Sequence, residues 1–219
     1  MSLSPISGHV KRRYDSTRRR EAARGQRARV LAAARRRFVA SGYTGTTLGA
    51  IASDADVSVE AIYKAFGNKA GLLKAVFDVA LAGDDSPVAI ADRAWVARVI
   101  AEPDPRRKLR LYARQIAAAM PRVAPIQLLA RAAATTDPEL DAVWRQMGME
   151  RLTGMNAFAG HLAQGRHLRP GVGKAQARDL LWLYNSVAIY ELLVLERGWT
   201  VRRYQDFLGS SLIDALLVI

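Results

Sequence analysis

The chain has 219 residues, half of them apolar, which is enough to bury one large core or a small and a medium one. It has no cysteine, which excludes disulfides, thiolate nucleophiles and thiolate zinc sites together. Its net charge of +13 is unevenly placed: residues 1–37 hold twelve Lys and Arg against Asp15 and Glu21, +10, and the rest holds twenty-one against eighteen, +3. A segment so charged attracts phosphate backbones through counterion release, and anionic membrane surfaces as well.

Period-two alternation is almost absent while helical periodicity recurs, which predicts an all-α fold. Residues 1–24 read as a polar, basic, mobile arm. Its Lys11, Arg12, Arg13, Arg18, Arg19 and Arg20 either enter a minor groove or stay solvated. Over 25–41, Leu31, Ala34 and Phe38 share one face of a helix that Gly42 stops. Two short helices follow, over 48–55 with Ile51, Ala52 and Ala55 inward, and over 59–66 with Ile62 and Phe66 one turn apart. Gly67 ends the second, and Asn68 caps a fourth helix over 69–81 that carries Leu72, Leu73, Val76, Phe77 and Ala80. Gly83-Asp84-Asp85-Ser86-Pro87 is the clearest linker. Beyond it, helices are predicted near 87–102, 105–120, 124–135, 138–164, 174–197 and 201–218. Their breaks fall at Pro103/Pro105, Pro121/Pro125, Asp137-Pro138, 165–173 and Gly198.

The helices over 48–55 and 59–66 are joined by a tight turn, and they can pack steeply only around a small shared core. Ile51, Ala52, Ala55, Val57, Ile62 and Phe66 supply it. The second helix is left standing proud, and a DNA major groove about 12 Å wide admits one helix. Thr47 is placed to cap the first helix and Ser58 the second. The block resembles the TetR (tetracycline-repressor-like) family of transcription regulators: Gly42-Tyr43, Thr46-Thr47, Ile51-Ala52, Val57-Ser58, Tyr63, Phe66 and Lys69 stand where that family has its Gly-aromatic turn, Thr pair, Ile-Ala, Val-Ser turn, Tyr, Phe and Lys. The likeness covers roughly 25–81. Asp56 departs from it, standing where the family usually has glycine, although Asp tolerates a left-handed backbone better than most residues.

The resemblance implies a helix-turn-helix DNA-binding domain over 25–81 and a helical regulatory and dimerisation domain over 82–219. It implies phosphate contacts by Thr47, Tyr63 and Lys69, with Leu48 and Gly49 beside the first of these. It places Ser58, Val59, Glu60, Ala61 and Lys64 at base edges or the adjoining backbone. Ser58 also serves as a cap, and Glu60 either accepts from a cytosine amino group or favours its helix dipole. Tyr63 is expected to be exposed, because Ile62 and Phe66 already fill the inner face.

The stretch 180–195 is apolar nearly all round, so it must be covered on more than one side. The family resemblance implies a homodimer through helices near 174–197 and 201–218; a fully internal helix in a monomer is the alternative. Trp95, Tyr112, Gln127, Arg131, Trp144, Met147, Met155, Asn156, Trp182 and Asn185 are large or polar groups on mainly apolar helices, a mixture that suits a cavity for a small apolar effector. His161 and His167 share no helical face, Gly171-Val172-Gly173-Lys174 lacks phosphate-loop spacing, and acidic residues form no metal-like cluster. No catalytic site, cofactor or metal is therefore expected. No secretory signal or membrane span is visible, and a soluble cytoplasmic location is expected. The reading is a dimeric regulator of a near-palindromic double-stranded operator, released by an effector of unknown identity. The rival is an effector-independent or architectural DNA binder.

Overall fold

In a computed structural model of the chain, which describes residues 9–218 and side chains from residue 18 onward, every regular element is helical. The order is α1 (His9–Ser41), α2 (Leu48–Ala55), α3 (Val59–Phe66), α4 (Lys69–Ala82), α5 (Ala94–Ala101), α6 (Pro105–Ala134), α7 (Pro138–Gln164), α8 (Lys174–Tyr184), α9 (Val187–Tyr190) and α10 (Val201–Leu216). The chain forms two compact units, one ending at Val76 and the other beginning at Phe77, so the division falls inside α4.

In the first unit, Leu31, Ala34 and Phe38 of α1 are buried against Ile51, Ala52 and Ala55 of α2, together with Ile62 of α3 and Leu72, Leu73 and Val76 of α4. Each large side chain so buried contributes roughly 1.5–3 kcal/mol. Phe38 stacks on Tyr43 with ring centres 5.9 Å apart, which seats the turn after α1 on the core. α1 begins at His9 rather than near residue 25, so the backbone of the basic segment is helical from there on. Residues 1–8 of the expected arm, and the side chains of Lys11, Arg12 and Arg13, lie outside the described residues. Arg18, Arg19 and Arg20 are exposed.

In the second unit, α6, α7, α8 and α10 enclose a core of Leu109, Ala113, Ala117, Phe158, Leu162, Leu181, Tyr204, Leu208 and Leu212. Two expected breaks are absent or displaced. Residues 105–120 and 124–135 form one helix, α6, that runs through Pro121 and Pro125. Both prolines are exposed and one turn apart, while Met120, Val123, Ala124, Ile126 and Gln127 are buried. The prolines remove the donors to the carbonyls of Ala117 and Pro121, and packing of the buried face holds the helix together through that loss.

Conversely, 174–197 is interrupted. Asn185 closes α8, Ser186 Oγ accepts from the Ala188 N–H at 3.1 Å to open α9, and a π-helical turn covers Glu191–Glu196. The carbonyls freed at the break find a donor on another helix. Arg151 Nη1 of α7 donates to Trp182 O at 2.6 Å and Asn185 O at 2.9 Å. Finally, 87–93 is loop and a short 3₁₀ turn rather than the start of a helix. Arg93 organises it by donating to both Asp84 carboxylate oxygens (2.8 and 2.7 Å), to Ser86 O and to Val88 O.

Candidate nucleic-acid interface

The helix-turn-helix is built by local chemistry. Gly42 takes a φ of 71°, a left-handed turn open to glycine, and its carbonyl accepts from buried Thr46 Oγ1 at 2.7 Å. Thr47 then caps α2, accepting from the Ala50 N–H at 3.1 Å. Asp56 ends α2 in the left-handed region, φ 54° and ψ 58°. Val57 N–H donates back to Ala52 O at 3.1 Å, which closes the turn. Ser58 caps α3 by accepting from the Ala61 N–H at 3.2 Å. The exposed Glu60 carboxyl is held below its usual range by its own backbone N–H and then by the Ser58 hydroxyl, so it is a carboxylate at the positive end of α3.

Ile62 alone of α3 is fully buried, and Phe66 is half-buried beneath the Arg27 guanidinium, 4.8 Å from the ring centre. Glu60, Tyr63 and Lys64, at i, i+3 and i+4, form the outward face. Tyr63 is 53% exposed, as expected. Thr47, Gly49 and Ser58 are exposed too, and Leu48, Val59 and Ala61 are half-buried. Lys69 has a second occupation: its ammonium donates to Tyr43 O at 3.0 Å and Thr46 O at 3.2 Å, and sits 4.1 Å from the Tyr43 ring centre. It therefore ties the start of α4 to the turn that presents Thr47.

Three supports of this surface were not foreseen from the sequence. Arg37 of α1 pairs with Asp54 of α2, Arg29 Nε donates to Ala55 O at 3.2 Å, and Gly71 lies so close to the Phe66 carbonyl that a side chain there would collide. Of the cations that make residues 1–37 so strongly basic, Arg29 and Arg37 are thus engaged in holding α2.

The second unit gathers some of its candidate residues and disperses others. Tyr112 Oη donates to Met155 Sδ at 3.1 Å, Asn185 Nδ2 lies 3.8 Å from the same sulfur, and Phe158 packs on Tyr112 with ring centres 5.0 Å apart. Burial keeps the Tyr112 phenol far above its usual range, against the opposing pull of Arg151. Tyr204 Oη is buried with no hydrogen-bond partner among the described residues, and its ring meets Tyr190 edge-on at 5.2 Å. Arg131 is paired to Glu191 at 2.9 and 2.8 Å. Gln127 and Met147 are buried, Trp144 is half-buried against the core, and Asn156 is exposed. Trp182 is 40% exposed, with the Arg151 guanidinium 4.3 Å from its ring centre. Trp95 lines a cleft of about 280 Å³ with Arg98, Val99, Leu111, Arg114 and Gln115. Among the described residues no helix is long and apolar enough to cross a membrane.

A capped, outward-facing α3 on the compact core of the first unit has the build of a helix-turn-helix. Residues 30–76 match the pattern of bacterial regulatory proteins, tetR family. No curated protein matches the sequence. Among solved structures, NalD of Pseudomonas aeruginosa, the secondary repressor of the MexAB-OprM multidrug efflux pump, is 20% identical with a TM-score of 0.66, covering 90% of this chain and 98% of that one. FadR of Bacillus subtilis, solved in complex with stearoyl-CoA, is 16% identical with a TM-score of 0.68, covering 86% and 98%. The fatty acid degradation regulator FadR of Bacillus halodurans is 16% identical with a TM-score of 0.68, covering 85% and 97%. The fold is thus the all-α TetR-like one, an N-terminal helix-turn-helix unit followed by a helical second unit.

Proposed function

We propose that the protein is a homodimeric, cytoplasmic repressor that binds a near-palindromic operator and leaves it when a small, mostly apolar molecule binds the second unit. The observation that carries the reading is the outward row Glu60, Tyr63 and Lys64 on an α3 capped by Ser58. With Val59 and Ala61 these residues address base edges and the neighbouring backbone, while Thr47, Leu48, Gly49, Tyr63 and Lys69 address phosphates.

Dimerisation is supported by Trp182, Leu183, Leu192 and Leu195, all exposed at or above 40% on the segment 174–197. Apolar side chains so grouped mark an interaction surface. Effector binding is supported by the Tyr112, Met155 and Asn185 cluster and by the orphaned Tyr204 hydroxyl, since an unsatisfied buried group costs about 1–3 kcal/mol that a ligand can relieve. The effector must favour the geometry that does not fit the operator, and a coupling of about 1–3 kcal/mol corresponds to roughly 5–150-fold in operator affinity.

The test combines selection of bound fragments from the source genome with light scattering. A shared two-fold motif bound by a dimer is the expected result. Unselective binding by a monomer overturns the reading, and selective binding untouched by a broad apolar library moves it to an effector-independent DNA binder.

A further inference from the structure

We propose that the cleft between α5 and α6 is a binding site for a small carboxylate with a flat or short apolar body, separate from the interior tyrosine cluster and beyond the function proposed above. Two helices build it in the same way. α5 presents Trp95, Arg98 and Val99 at i, i+3 and i+4, and α6 presents Leu111, Arg114 and Gln115 at the same spacing. Each wall therefore offers an apolar side chain beside a guanidinium, and Gln115 adds an amide.

What sets Arg98 and Arg114 apart from the other arginines of the second unit is that both line one concavity. Elsewhere in the second unit, Arg93, Arg131 and Arg151 are each tied down by hydrogen bonds to carboxylates or carbonyls. Arg98 and Arg114 line one concavity, and neither has a hydrogen-bonding or ionic partner among the described residues. Two like charges facing a shared space repel, and one anion between them removes that repulsion while accepting from both forks. The volume, about 280 Å³, lies just below the usual range of about 300–1,000 Å³ for small-molecule sites, so the body held against Trp95, Val99 and Leu111 is one or two rings or a short chain.

The probe is 2-naphthoate, compared with its uncharged isostere 2-naphthamide by isothermal titration calorimetry on the full chain without DNA. Naphthoate should bind at least about tenfold more tightly than the amide, the margin that hydrogen bonds to charged groups give. Arg98→Gln and Arg114→Gln should each reduce naphthoate affinity several-fold, and the double variant should bind both probes alike. Arg202→Gln, which removes the same charge from the exposed face of α10, should change neither. Circular dichroism melts of each variant establish that the chain is folded. Equal affinity for the two probes, a preference that survives the double substitution, or no naphthoate binding at millimolar concentration overturns the site. Operator binding takes no part in the measurement, so its outcome stands apart from the regulatory reading.

Discussion

Arg37 and Asp54 join α1 to α2 through two parallel hydrogen bonds, Nε to Oδ2 at 2.7 Å and Nη2 to Oδ1 at 2.6 Å. The first effect on the Asp54 carboxyl is the hydrogen bond from Arg37, which holds it below the usual carboxylate range. A carboxyl whose folded value is depressed contributes stability that is complete above its unfolded value, about 3.9, and is lost as pH falls through the folded value. Asp54→Asn is therefore expected to lower Tm modestly at neutral pH, by at most a few degrees because the pair is exposed. The gap to the parent should narrow in melts near pH 3. A gap of the same size at both pH values would show that the ion pair is not its source.

Asp56 offers a test of backbone strain. Its left-handed conformation costs a residue with a Cβ roughly 1–2 kcal/mol, less for Asp than for branched side chains. Asp56→Gly should be neutral to stabilising by up to about 1 kcal/mol, because relief of the Cβ clash outweighs the added chain entropy. Asp56→Val should be destabilising by about 1–2 kcal/mol and should raise the unfolding rate. Urea denaturation of the three proteins decides it; a valine variant as stable as the parent removes the strain argument.

The outward face of α3 separates affinity from specificity. Tyr63→Phe should weaken binding to operator and scrambled DNA alike with little change in Tm, since Tyr63 is exposed. Lys69→Ala should weaken both as well, but it should also lower stability by about 1–3 kcal/mol, because the Thr46 carbonyl loses its donor and the Tyr43 carbonyl keeps only the Thr46 N–H. Substitutions at Val59 and Glu60 should instead change which base is preferred, by roughly 1–3 kcal/mol at one position of each half-site. Fluorescence anisotropy on operator, single-base variants and scrambled duplex distinguishes these patterns. Uniform weakening by Glu60→Gln would place that carboxylate away from the bases.

What the sequence revealed and what it hid divide along local and non-local lines. The limits of α2 and α3 were legible because Thr47, Ser58 and Gly67 act within a few residues of themselves. The tolerance of Asp56 for its turn was legible for the same reason. Pro121 and Pro125 misled because their local cost is overridden by the packing of Met120, Val123 and Ile126, which only the assembled second unit supplies. The break after Tyr184 depends on Arg151, more than thirty positions away, to satisfy its carbonyls. Arg29, Arg37 and Lys69 are indistinguishable in the sequence from the other cations around them until α2 and the turn before it are in place.

The last prediction concerns a cation placed inside the second unit. Lys108 is only 2% exposed; its Nζ donates to Ile100 O at 3.0 Å and lies 2.6 Å from His161 Nε2. An ammonium has three donors and no acceptor, so this contact requires His161 to accept at Nε2 and to carry its proton on Nδ1. A second proton on the ring would set two cations against each other in a desolvated place. Burial first, then Lys108 and then His167 hold the imidazole below its ordinary value, while Ile100 O pulls weakly the other way. Burial lowers Lys108 too, against Glu102, the acidic group acting on it. A base whose folded value is depressed binds fewer protons folded than unfolded, so its contribution is intact above the unfolded imidazole value, about 6.5, and is lost as pH falls below it. Stability should therefore rise between about pH 5 and pH 7.5, and His161→Gln, whose amide oxygen can still accept from Lys108, should flatten that rise. Lys108→Met should flatten it in part and leave stability at pH 7.5 unchanged or raised, because an apolar side chain of similar length replaces a buried charge. Urea denaturation across that range gives the slope, and the His161 ring resonances give its titration directly. An unaltered slope in His161→Gln, or a ring that titrates at its ordinary value, would remove the Lys108–His161 contact as the cause.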